Sequence, residues 1–218
     1  MRRIILCILV AAMCSVSAKA QLTWWDSAKD PGGIEIGARF GLNLSKFTHV
    51  SRWSSILPGV NAGITVKKPV LNSLSVKSAF LFSMKGVTGK NPNGFGGSIT
   101  TTFAPFYLEV PVLASYCLPV ADDIKIHFDL GPYFGFGVGG PHTIKGEGFG
   151  AGETVRDGAF DFLKRFDMGL EFGPSFVWQN RYSVGLAFDT SIIDISDMGG
   201  KVGNFTCMIN FGYRFKTF

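Results

Sequence analysis

A chain of 218 residues, 46% hydrophobic but only 17% charged, has room for one sizeable domain with an unusually apolar surface or core. Its formal charge of +5 is not gathered into a basic patch, which excludes nucleic acid as a partner. Four cysteines in this arrangement make neither a disulfide framework nor a metal site.

Residues 1–20 read as a cleaved export signal. Arg2 and Arg3 form a basic start, Ile4 to Met13 an apolar run, and Ala18-Lys19-Ala20 a small-x-small cleavage site. Val16-Ser17-Ala18 offers a second cut. The apolar run is too short to span a bilayer as a helix. Cys14 suggests a lipoprotein, but Met13 is bulky where that signal needs a small residue. Cleavage removes Arg2, Arg3, Lys19 and no acid, so most of the positive charge leaves with the signal. Residues 21–218 then form the single mature domain.

Its first strand, 34–45, alternates Ile34, Ile36, Ala38, Phe40, Leu42 and Leu44 with Glu35, Gly37, Arg39, Gly41 and Asn43. The same period of two recurs at 59–66, 74–85, 104–117, 124–138, 165–178, 182–192 and 204–215. One parity is large and apolar throughout, as in Phe166, Met168, Leu170, Phe172, Phe176 and Trp178. The other is Gly, Ser, Asn and isolated charges. Eight such segments predict an all-β fold: a single eight-stranded antiparallel up-and-down transmembrane β-barrel, apolar face to lipid. A soluble barrel would turn Lys and Glu, rather than glycine, to its polar face. Long connections at 46–58, 86–102, 139–164 and 194–203 alternate with short ones at 67–73, 118–123 and 179–181. That pattern predicts four long extracellular loops and periplasmic turns.

The inward parity carries Glu35, Arg39, Lys77, Lys85, Glu109, Asp129, Asp167, Glu171, Asp189 and Arg214. Charges in a narrow lumen must pair or meet water. They are expected to form one polar network centred on Glu35, Arg39, Glu109, Glu171 and Arg214, either a structural plug or a gate. On the outward parity, Tyr116, Trp178, Tyr182 and Tyr213 fall at the turn-side strand ends, where amphipathic rings form an interfacial girdle. Parity sends Cys117 inward and Cys207 outward, so no disulfide is expected between them.

Other motifs carry less. Gly135-x-Gly137-x-x-Gly140 matches the dinucleotide fingerprint, but Pro141 and a glycine-rich loop follow where a helix is needed, so no cofactor is expected. His49, near Ser51, Ser54 and Ser55, and His142 fall in long loops on one side. They permit a rim lipid hydrolase without indicating one, and no catalytic or metal residues are assigned. His127 falls in the lumen near the turn side. The loop Gly146–Gly158 is glycine-rich and mixed in charge, and is the expected place for an extracellular partner.

Four segments carry a resemblance: Tyr107-Leu108-Glu109-Val110-Pro111-Val112-Leu113, Gly131-Pro132-Tyr133-Phe134-Gly135, Phe166-Asp167-Met168-Gly169-Leu170-Glu171-Phe172-Gly173 and Phe211-Gly212-Tyr213-Arg214-Phe215. In this order they resemble the small porin-like outer-membrane β-barrel proteins common in Bacteroidetes. The resemblance implies an eight-stranded barrel in the outer membrane of a Gram-negative cell, and no single activity. Family chains usually stop at the terminal aromatic; here Lys216-Thr217-Phe218 follow. The expectation is a monomeric, non-enzymatic barrel inserted by the barrel-assembly machinery, in contact with outer-membrane lipid, and serving envelope integrity or surface interaction. A narrow porin or an accessory barrel of a secretion system are the alternatives.

Overall fold

Strands with one large apolar face and one small polar face have to hide their backbone edges as well as their side chains. The computed structural model satisfies this by closure. It describes residues 33–48, 54–71, 73–92, 97–121, 123–147, 154–197 and 201–218; the export signal, His49 and Ser51 lie outside them.

There are twelve strands among the described residues. They are β1 (Glu35–Thr48), β2 (Ser54–Pro69), β3 (Leu74–Met84), β4 (Val87–Pro92), β5 (Ser98–Phe103), β6 (Phe106–Ala121), β7 (Ile124–Gly139), β8 (Pro141–Glu147), β9 (Thr154–Gly158), β10 (Phe166–Trp178), β11 (Tyr182–Ser191) and β12 (Gly203–Thr217). All pairings are antiparallel. The order β1-β12-β11-β10-β7-β6-β3-β2 returns to β1 through a β1–β2 ladder. Each strand of that ring therefore has two neighbours in the ring and no open edge. β12 runs on through Lys216 and Thr217, which pair with Ile36 and Glu35, so the extra C-terminal residues lengthen the closing ladder.

Side-chain direction follows the alternation. Phe40, Leu42, Phe80, Leu130, Leu170 and Phe172 all point outward and are exposed. Arg39, Asn43, Glu109, Asp167, Glu171 and Asp189 point inward and are buried. A shell of exposed Phe, Leu, Ile and Val demands an apolar solvent.

The sequence predicts eight strands and irregular loops at 86–102 and 139–164. The structure differs there: β4, β5, β8 and β9 occupy these segments and form a second sheet, β2-β4-β5-β8-β9. The hairpin β8–β9 takes in both ends of the segment Gly146–Gly158, read above as the expected place for an extracellular partner. The ring strands continue upward into this sheet through three aligned kinks. Gly86 and Gly140 adopt φ of 135° and 132°, which only glycine takes cheaply. The Lys85 N–H donates to the Pro105 carbonyl at 3.1 Å and the Ala104 N–H to the Pro141 carbonyl at 3.0 Å, tying the kinks together. The β-branched run Ile99-Thr100-Thr101-Thr102 suits a strand by composition, but it lacks the apolar alternation that marks the ring strands. A 3-10 turn, Ala159–Asp161, leads back toward β10.

Leu170→Arg puts a charge in the outward shell and is expected to destabilise the barrel by about 2–4 kcal/mol in urea unfolding from phospholipid vesicles. Gly169, one residue earlier, is limited by size instead. A Cβ there would sit 2.1 Å from the Thr190 carbonyl oxygen and 2.6 Å from the Tyr133 ring, so the uncharged Gly169→Ala is expected to destabilise as well. Wild-type stability for Leu170→Arg would reverse the assignment of faces.

Candidate functional site: the filled lumen and its two mouths

Register decides the middle of the lumen. Glu171 and Asp189 are direct cross-strand partners on β10 and β11, and like charges so placed repel. Each needs its own cation. Arg39 of β1 donates to Glu171 at 2.9 Å. Lys85, at the kink after β3, donates to Asp189 at 2.8 Å and also meets Glu109 at 2.5 Å. The Lys85 side chain is 0% exposed, and its ammonium lies 4.2 Å from the centre of the Tyr133 ring. Asp167 takes neutral donors instead, the Tyr133 hydroxyl at 3.1 Å and the Asn204 amide at 2.8 Å. Just beyond, Asn61 donates to Asn43 at 2.6 Å and to Asn210 at 3.1 Å, and Ser45 meets Thr206 at 2.9 Å. The cross-section is filled by side chains that hold one another.

The turn end is built differently. Glu35 accepts from Arg214 at 2.7 Å and meets Lys67 at 3.6 Å. Lys77 donates to Asp129 at 2.6 Å. Ser115 and His127 Nδ1 stand 3.2 Å apart. These groups border a cavity of about 130 Å³ that reaches inward as far as Arg39 and Glu171. Parity named the charged residues. The single network expected around Glu35, Arg39, Glu109, Glu171 and Arg214 divides into these two groups, with Arg39–Glu171 as the boundary. Lys85 joins two carboxylates, and its partners could not be named because they come from β6 and β11.

Apolar packing covers the opposite mouth. Phe47, Val87, Leu163 and Ile195 form a buried cluster with Phe103, Phe160, Ile193 and Val202 around it. Phe160 stands edge-on to Tyr107 at 5.6 Å, directly over Gly137, where a Cβ would collide with its ring. Asp194 accepts from the Ser196 and Val202 backbone N–H groups at 3.0 and 2.9 Å. Those two bonds hold its carboxyl below the usual carboxylate range. They fold its segment against Leu163, which bridges Ser196. None of this lid was read from sequence. Its residues come from five separated segments without periodicity.

Trp178, Tyr182 and Tyr213 form a continuous outward strip on β10, β11 and β12, with ring centres 6.0 and 5.4 Å apart. Tyr116 stands on β6, separated from β10 by β7. Cys117 and Cys207 are free thiols. His142 lies on β8 between Phe103, stacked at 4.0 Å, and Phe162 at 4.9 Å, and its nearest carboxylate is Asp157 at 3.9 Å. The Gly135-x-Gly137-x-x-Gly140 match runs from strand to strand, without the helix a pyrophosphate needs. No group of three or more His, Cys, Asp or Glu suited to a metal occurs among the described residues.

An antiparallel sheet closed on itself, apolar outside and ion-paired inside, is an outer-membrane β-barrel. The chain belongs to the family described as outer membrane protein beta-barrel domain, whose profile matches residues 20–197. Similar solved structures include Ail, the attachment invasion locus protein of Yersinia pestis, in complex with the heparin analogue sucrose octasulfate. It is 14% identical, with a TM-score of 0.40 over 85% of this chain and 100% of that one. Neisserial surface protein A is 10% identical, with a TM-score of 0.44 over 86% and 100%. OprG from Pseudomonas aeruginosa is 14% identical, with a TM-score of 0.44 over 87% and 99%. No curated protein matches the chain.

Lys85→Met strands two buried carboxylates where Arg39→Met strands one. Loss of one partner from a buried pair costs about 3–5 kcal/mol, so both variants are expected to unfold at lower urea, with Lys85→Met the more affected. Wild-type midpoints would mean the pairs contribute nothing, and equal losses would mean that the second stranded carboxylate adds no cost. Burial between the rings pushes the His142 pKa down. Its neutral form is therefore the folded one. Lid stability is expected to be complete above the ordinary histidine range of about 6.5 and to fall as pH drops below it. The protection factors of residues 159–163, with the intrinsic pH dependence of amide exchange divided out, should fall on acidification in the wild type and not in His142→Phe.

Proposed function

We propose that this protein is a non-enzymatic, non-conducting outer-membrane barrel. The eight ring strands span the membrane as one domain, and the second sheet stands outside the cell as a firm surface for contact with other envelope or extracellular molecules. The observation that carries this reading is the fully buried Lys85, clamped between Glu109 and Asp189 across the lumen. A lumen whose charges are spent on one another has structural work to do and no free path. The apolar lid adds a second closure above it. A monomer serves this role, since the ring leaves no ladder unpaired. Export by the signal at 1–20 and insertion by the barrel-assembly machinery complete the proposal. Against a hydrolase at the rim stands the setting of His142, among aromatic rings rather than beside a serine.

A narrow porin is the second reading, favoured by the cavity that already opens one end of the lumen as far as Arg39–Glu171. Planar-bilayer recording separates the two. The wild type is expected to be silent. Reproducible unitary current would overturn the closed-barrel proposal. A selectivity change in Arg39→Met with unaltered melting would then assign that pair as a gate.

A further inference from the structure

The cavity at the turn end is blind, and its charges are unevenly used. Three carboxylates line it: Glu35, Asp129 and Glu171. Each is held by a closer cation: Arg214 at 2.7 Å, Lys77 at 2.6 Å and Arg39 at 2.9 Å. Lys67 is left over. Its only carboxylate among the described residues is Glu35, at 3.6 Å and already engaged by Arg214. Arg181 also lines the cavity and is exposed.

Exposure within the pairs points the same way. The Lys77 side chain is 23% exposed against 9% for Asp129, and Arg214 is 27% exposed against 18% for Glu35. In both pairs the cation is the more exposed partner. The accessible part of each pair is therefore mainly ammonium or guanidinium. The hydroxyl residues Thr65, Ser115, Ser175 and Ser183 also line the cavity. Cations and hydroxyl donors around a pocket of about 130 Å³ suit a small oxyanion, and the Arg39–Glu171 pair stops it from going further.

We propose that this vestibule is a binding site for a small free oxyanion of the phosphate type, entering from the turn end and held there rather than conducted. A phospholipid headgroup carries the same chemistry. The ring strands stand between it and the cavity, so the free ion is the occupant proposed.

The test is calorimetric titration of the folded protein in zwitterionic nanodiscs with inorganic phosphate, against chloride at equal ionic strength. Saturable phosphate binding is expected. Lys67→Gln and Arg181→Gln should each weaken it by about tenfold, the scale of one charge-assisted hydrogen bond. Lys67→Gln leaves Glu35 with Arg214, so its melting should match the wild type and a lost signal cannot be blamed on misfolding. Lys164→Gln, on the lid side, should bind normally. Phosphate heats no different from chloride, or unchanged affinity in both cavity variants, would overturn the site. Weaker phosphate binding in phosphatidylglycerol nanodiscs than in nanodiscs given the same surface charge by a fatty acid would also overturn the free-ion proposal, because a headgroup would then be the competitor.

Discussion

The β1–β12 ladder is the constraint on which the rest depends. In hydrocarbon an unpaired backbone N–H or C=O has no water to turn to, and each costs several kcal/mol. A sheet placed there has to close. The closing ladder runs from Glu35 against Thr217 to Thr48 against Gly203, with one irregularity at Ile36–Gly37. Once it forms, alternation leaves no choice about direction. Every second residue is committed to lipid and its neighbours to a narrow interior.

That interior has its own problem. A ring of this size is just wide enough for side chains to fill, and the inward face brings two acids opposite each other at Glu171 and Asp189. Arg39 and Lys85 resolve it from the other side of the ring. Glycines on β7 and β10 supply the space. A Cβ on Gly169 would strike Tyr133, the ring over which Lys85 sits. Small residues and buried charges are thus parts of one packing solution, and neither would be tolerated alone.

Closure also explains the asymmetry of the two mouths. At the turn end the chain reverses quickly, leaving little to fold inward, and a polar cavity remains. At the loop end the chain has length to spare. It continues β3, β6 and β7 past the three kinks into a second sheet and lays Phe160, Leu163 and Ile195 over the opening. Water is kept from one mouth by apolar packing and admitted at the other among charges.

The sequence alone determined the class of fold, the strand faces and which charges share the interior. All three follow from a period of two, which local chain geometry enforces at Leu170 and Gly169 as surely as at Phe40 and Arg39. It could not determine partners. Whether Lys85 meets Glu109 and Asp189, or Arg39 meets Glu171, depends on strand stagger around a closed ring. Residues 132 positions apart leave no local trace of that. The second sheet and the lid were decided by tertiary structure for the same reason. Val87, Phe103 and His142 form a row only because β4, β5 and β8 are brought side by side. Phe160 packs half-buried against Tyr107 only because Gly137, on β7, leaves it room.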